Sequence, residues 1–318
     1  MKLIFIALII LLLITIIIKY NKKESFDTII SKLDYSAGFY SQLFFVLNHY
    51  IYCKKNSINF IINSDNWLFK YKDGWDDYFE PITLTFNPII ETKIVTHSTN
   101  MGEYIIQEYK NVIPEIYKYN QNTLNKIQNY VNKNNLINYD SIFIRRGDKL
   151  ANESNLYNEI IYIDLLLLKS PDCKNLFIQT DDYNCFIKIN NIIKEKSLNI
   201  KTYTLCNENQ VGIVVTNNQK NEIANSNKNK EYLDKIKNQL INSKSVEDMD
   251  NNEKYKHVIT MIIGIDICSK SNICICDYQS NVSRFIKLFH INPNNVYDIL
   301  NPEKDIDYNK LQNPAYGF

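Results

Sequence analysis

Residues 3–18 carry no charge, and Thr15 is their single polar side chain. At about 1.5 Å per residue such a helix falls slightly short of a hydrocarbon core of ~30 Å. Lys2 and Lys19 can make up the difference by directing their ammonium groups to the two interfaces. The following Lys19-Tyr20-Asn21-Lys22-Lys23 offers no small-residue cleavage site. The pattern predicts an uncleaved transmembrane helix over residues 1–19. After Gly38, apolar residues at Leu43, Phe44, Val46, Leu47, Tyr50 and Ile51 recur at helical spacing over residues 36–52. Residues 57–63 read as a buried strand. Trp67, Phe69, Tyr71, Trp75, Tyr78 and Phe79 then form an aromatic-rich loop ending at Pro81, able to fill a core or to stack on a sugar ring. Residues 100–138 are polar with scattered apolar positions and read as a helical connector.

From residue 139 the pattern sharpens. Strands at 141–145, 175–180, 201–205 and 272–276 alternate with helices at 158–168, 183–195, 253–268 and 280–290. Residues 207–252, rich in Asn and Lys, read as a surface insertion with one helix near 230–240. This alternation predicts an α/β protein with a mostly parallel sheet covered on both faces. Three parts follow: the anchor, residues 1–19; an N-terminal α/β half, residues 20–138; and a second α/β half, residues 139–318, that carries the insertion. No internal repeat is present.

Composition changes little. The 318 residues are 45% hydrophobic and 22% charged, as in ordinary globular chains. A formal net charge of +1 supplies no global field for nucleic acid, so no nucleic-acid partner is expected. The 7 cysteines show neither zinc-type nor disulfide-type spacing and read as buried thiols. Lys19, Lys22 and Lys23 outnumber Lys2, which by the positive-inside rule favours a cytosolic body.

Chemistry is concentrated where strands end. The apolar run Ile142-Phe143-Ile144 leads directly into Arg145 and Arg146, followed by Gly147, Asp148 and Lys149. Neighbouring strand residues point to opposite faces. One arginine can therefore face a crevice beyond the strand end while the other is braced from behind, with Asp148 as the expected brace. Guanidinium groups match phosphate oxygens in planar, charge-assisted pairs; an Arg–Asp surface network is the competing reading. At Asp277-Tyr278-Gln279-Ser280-Asn281-Val282 a strand gives way to a helix whose free N–H groups favour an anion, although Ser280 can equally serve only as an N-cap. Thr180-Asp181-Asp182 closes another strand, where carboxylates can hold ribose hydroxyls, brace the arginines or simply form a turn.

Together these motifs resemble the α1,6-fucosyltransferase group, which includes the nodulation fucosyltransferases, within the GDP-fucose-dependent inverting transferases. The likeness rests on Arg145-Arg146-Gly147-Asp148-Lys149 followed by Glu153 and Tyr162, on Thr180-Asp181-Asp182, and on Tyr278-Gln279-Ser280-Asn281-Val282-Ser283-Arg284. Gly38 to Leu43 fits the family's early Gly-x-x-Ser-Gln-Leu element. The resemblance implies two facing Rossmann-like halves and a metal-independent inverting transfer that needs no cofactor beyond the nucleotide-sugar donor. It implies that Arg145 and Arg146 hold the donor diphosphate and that Glu153 is the general base. Lys149 and Asp148 would order the site. Tyr162, Asp181, Asp182, Ser280, Asn281 and Val282 would complete the donor contacts. The partners implied are a nucleotide-sugar donor, a glycan or glycoprotein acceptor, and a membrane.

The chain departs from the family at two positions associated with guanine. Phe143 stands where the family has histidine, and Gly264 where it has aspartate, with Asp266 nearby. A different nucleotide sugar is therefore an alternative donor. An inactive, membrane-anchored binding or structural protein on the same scaffold is a second alternative. Secretory-pathway transferases have the opposite orientation to the one favoured by the lysines, so a Golgi- or ER-type membrane and a viral or host membrane are the alternative locations of this single-pass protein.

Overall fold

The computed structural model describes residues 26–302, apart from residues 98, 100, 103, 153 and 154. The expected anchor therefore lies outside the described residues, and among these no helix is long and apolar enough to cross a membrane.

The N-terminal half is built on a three-stranded parallel sheet. Strand β1 (Thr28–Lys32) lies between β2 (Asn59–Asn63) and β3 (Thr92–Val95). Helix α1 (Phe39–Asn56) connects β1 to β2 and is buried on nearly all sides. It packs on the sheet and on α2 (Ile106–Ile116). The aromatic segment fills the adjoining core. Trp67 lies within 5.2–6.2 Å of Phe39, Phe69, Trp75 and Tyr78 between ring centroids. The Asp77 carboxylate holds the surrounding loop by accepting the N–H groups of Tyr71 and Gly74 at 2.8 and 2.9 Å. Helix α3 (Gln121–Asn134), capped by Asn120, then leads into the second half.

The second half is a five-stranded, all-parallel sheet in the order β6-β5-β4-β7-β8. Its strands are β4 (Asp140–Ile144), β5 (Asn175–Thr180), β6 (Lys201–Thr204), β7 (Cys274–Cys276) and β8 (Val296–Asp298). The chain moves outward from β4 to β6, then crosses back to the other side of β4. The direction of winding therefore switches between β4 and β7. After β4 comes one short turn of helix, α4 (Lys149–Asn152), and then α5 (Glu159–Lys169). Alternation divides β4 between two cores. Ile142 and Ile144 pack with Ile163 and Leu166 of α5 and Ile189 of α6 (Tyr183–Glu195). Phe143 joins the opposite core, which includes Ile262 and Ile263.

Residues 207–252 hold the expected helix near 230–240 and more than was expected. They form two helices, α7 (Asn217–Asn225) and α8 (Lys230–Asn242), with a small core of their own. Leu233, Ile236 and Leu240 recur at helical spacing and pack against Leu150 and Val214. This segment also closes on the loop that follows β4. A Cβ at Gly212 (φ +121) would lie 2.5 Å from the Gly147 Cα, so both backbones meet only because neither residue has a side chain. Helix α9 (Asn251–Lys270) and helix α10 (Asn281–Phe289) complete the half. Strands β1, β3 and β8 appear where the periodicity predicted none, because three to five residues in register leave little pattern in the sequence. Of the seven cysteines all are free, and only Cys206 is not fully buried.

Candidate active site

A cavity of about 1160 Å³ opens between the two halves. It lies at the carboxyl ends of β4 and β5, next to the β4–β7 switch, where doubly wound sheets leave a crevice between diverging connections.

The two arginines behave differently. Arg145 shares the strand parity of Phe143 and reaches the cavity wall. Its Nη1 donates to Asp181 Oδ2 and its Nη2 to Asp148 Oδ1, with 15% of the side chain exposed. Two carboxylates thus fix the guanidinium plane at the cavity wall. Arg146 shares the parity of Ile142 and Ile144 and is 1% exposed. Its Nη2 donates to the Tyr157 carbonyl at 2.8 Å and to Glu159 Oε1 at 3.3 Å. Its backbone N–H donates to Asp181 Oδ1 at 2.7 Å. The expected brace is therefore reassigned: Asp148 holds the cavity-facing arginine, and Glu159 holds the buried one.

Two helix N-termini converge on the same space. Gly38 to Ser41 form the start of α1, and Ser280 to Val282 the start of α10. Each presents the N–H groups of a first helical turn and the positive end of a helix dipole. Ser280 Oγ accepts the Val282 N–H at 3.2 Å as an N-cap, so capping and cavity lining coexist in one residue. Asn281 Nδ2 donates to Ser41 Oγ at 2.7 Å, joining the two helix starts. Arg284 is anchored from Nε to the Tyr278 carbonyl at 2.9 Å and from Nη1 to Asn281 Oδ1 at 3.0 Å.

The remaining wall was not anticipated. Along α9, Glu253, Lys256, His257, Thr260 and Met261 present one helical face to the cavity. The signal is present as spacings of three and four residues between polar positions at the amphipathic start of this helix, which a reading by apolar periodicity passes over. The His257 imidazole is pulled down to about 4 by burial and by the Arg145 charge, so it is neutral near pH 7 and can accept a hydrogen bond. The insertion contributes Val211 to Val215 and Lys244, the latter paired with Glu253.

Of the expected site residues, Arg145, Asp148, Lys149, Asp181, Ser280, Asn281 and Val282 line the cavity. Arg146, Tyr162 and Asp182 do not. Tyr162 is 1% exposed within the core on the far face of the sheet. Asp182 caps α6 through the Asn184 N–H at 3.0 Å and accepts the Tyr232 hydroxyl from the insertion. Glu153 lies outside the described residues. At Gly264 the end of the Gln179 side chain takes the space of the missing aspartate: a Cβ there would sit 2.1 Å from Gln179 Oε1, so Gln179 would have to move. Asp266 is buried beside Lys270 at 2.9 Å rather than in the cavity. Its carboxyl is pushed up by burial. Among the described residues no group of three or more His, Cys, Asp or Glu side chains is placed to hold a metal ion.

No protein-family model matches the chain, and no curated protein matches it. Its architecture nevertheless matches solved structures. Fucosyltransferase NodZ from Bradyrhizobium superposes with a TM-score of 0.53 at 8% identity, covering 88% of this chain and 97% of that one. A NodZ alpha-1,6-fucosyltransferase structure soaked with GDP-fucose gives 0.52 at 9% identity, with 88% and 98% covered. The chain therefore has the two-half α/β fold of these transferases over most of its length.

Proposed function

We propose that this protein is a glycosyltransferase that moves fucose from GDP-fucose to a glycan or protein acceptor. One observation carries the reading: Arg145 and the N-termini of α1 and α10 line a single interdomain cavity. A diphosphate is the ligand that such a set of fixed donors matches, since it needs several directed N–H groups and one planar cation. Arg145 is the direct diphosphate contact. Arg146, enclosed by Glu159 and Tyr157, positions the strand end instead.

In the inverting reaction an acceptor hydroxyl attacks the anomeric carbon as the bond to the diphosphate breaks. The nucleoside diphosphate leaves with the bonding electron pair, and a base takes the hydroxyl proton. We assign that base to Glu153, with Lys149 ordering the site, on the motif spacing. Negative charge grows on the leaving phosphate, where Arg145 and the helix starts stabilise it more as transfer proceeds. No metal is needed for this assignment. The protein is held to a membrane by residues 1–19. The fold of NodZ and the ordered motifs support fucose as the sugar.

A second donor is favoured by one feature. Phe143 and Gly264 remove the polar groups associated with guanine, and Gln179 fills the space at Gly264. Calorimetric titration with GDP, UDP and GDP-fucose tests both readings. Micromolar GDP binding and weaker UDP binding are expected. Tighter UDP binding would move the assignment to another nucleotide sugar, and no nucleotide binding would refute an enzyme of this class.

A further inference from the structure

The outer face of the three-stranded sheet carries exposed apolar side chains. In register, Ile61, Ile30 and Ile94 form one row across β2, β1 and β3. Ile29 and Phe60 point to the opposite face and are buried. Ile94 is 63% exposed and Ile61 37%. Residues 84–91 run from the free edge of β2 past the amino-terminal ends of the strands and are firmly tied there. Leu84 O accepts the Phe60 N–H at 2.9 Å. Asn59 Oδ1 accepts the N–H groups of Phe86 and Asn87 at 2.6 and 3.1 Å. Asp27 Oδ2 accepts those of Ile90 and Glu91 at 2.8 and 3.0 Å. This fixed loop displays Phe86, Ile89 and Ile90, with Ile90 85% exposed. Apolar side chains on the sheet face and on the bonded loop beside it mark an interaction surface.

The position of the patch in the chain indicates its occupant. Asp27, which holds Ile90, stands at the amino end of β1. Residues 19–25 join it to the uncharged segment at residues 3–18. With Phe26 included, eight extended residues span at most about 29 Å, so a bilayer that holds residues 3–18 comes within about that distance of Asp27. Lys19, Lys22 and Lys23 lie in the joining segment, where lipid phosphates attract them. We propose that the patch itself rests in the lipid interface, with Ile89 and Ile90 entering the headgroup–acyl boundary as a second attachment beside the N-terminal segment. The proposal rests on the reading of residues 1–19 as a membrane anchor. Its consequence is orientation. The amino end of β1 faces the bilayer, and its carboxyl end leads to Gly38–Ser41 at the cavity. The cleft is therefore turned away from the lipid, toward an acceptor arriving from the aqueous side.

Tryptophan quenching in vesicles tests this with the full-length protein. Native Trp67 and Trp75 are 5% and 3% exposed and supply a protected background. Ile90→Trp, and as a control Leu168→Trp on α5, where Leu168 is 69% exposed, would each be reconstituted in phosphatidylcholine vesicles with and without brominated acyl chains. Emission added by Ile90→Trp should fall about twofold or more in brominated vesicles, while that of Leu168→Trp stays constant. If the protein floats with vesicles but Ile90→Trp is unquenched, the patch does not touch lipid, and the anchor reading survives. If the protein does not float with vesicles at all, both readings fail.

Discussion

Asn281 donates a hydrogen bond to Ser41 at 2.7 Å across 240 residues of sequence. It is a direct polar link between the first turn of α1 in one half and the first turn of α10 in the other. The bond sets the spacing of two anion-attracting helix ends. A double-mutant cycle of Ser41→Ala and Asn281→Ala, read in GDP affinity, should give a coupling of about 0.5–1.5 kcal/mol. Additive effects would mean that the two helix starts bind independently.

Adjacent arginines should fail in different ways. Arg145→Lys keeps a charge but loses the planar fork held by Asp148 and Asp181. It should cost GDP affinity by about 1.5–3 kcal/mol, roughly 10–150-fold, with a folded protein. Arg146→Met should instead cost about 3–5 kcal/mol of stability in urea unfolding, because Glu159 is left buried without its main partner. A stable Arg146→Met that cannot bind GDP would reverse the assignment of roles.

His257 should contribute to the pH dependence of stability, with the sign set by its lowered value. Its folded-state value of about 4 lies below the ordinary 6.5, so the unfolded chain binds the extra proton. The contribution is fully present above pH 6.5 and is lost as pH falls toward 4. Asp277, raised by burial to about 6, acts in the opposite sense as pH rises from its ordinary 3.8 toward 6. The difference between the parent and His257→Gln isolates the histidine. The stability lost on going from pH 7 to 5 should be smaller in the variant, and an equal loss would show that His257 is protonated freely in the fold.

For the proposed base, Glu153→Gln should leave GDP-fucose affinity within about threefold while abolishing transfer, since only proton removal is lost. Transfer near the parent rate in this variant would exclude Glu153.

Part of the site was legible because it depends on local chemistry. An apolar strand running into two arginines, a Thr-Asp-Asp turn and a Ser-capped helix are each encoded within a few residues. The face of α9 was less legible, since His257 and Thr260 interrupt an apolar pattern without announcing a cavity. The insertion was the least legible. The helix at 230–240 was legible, but the helix Asn217–Asn225 and the core that both helices share were not, and the contact with the arginine loop depends on two glycines 65 positions apart, Gly147 and Gly212.

By itself the sequence determined that Arg145 and Arg146 end a buried strand and point opposite ways, because side chains alternate along any strand. It could not determine which faces the ligand. That depends on which helices cover each face of the sheet. Ile142 and Ile144 pack against α5 and α6, so Arg146 is drawn into that core beside Glu159. Phe143 faces the α9 side, so Arg145 emerges where the two halves leave a cavity. Long-range packing made that choice, and no local pattern contains it.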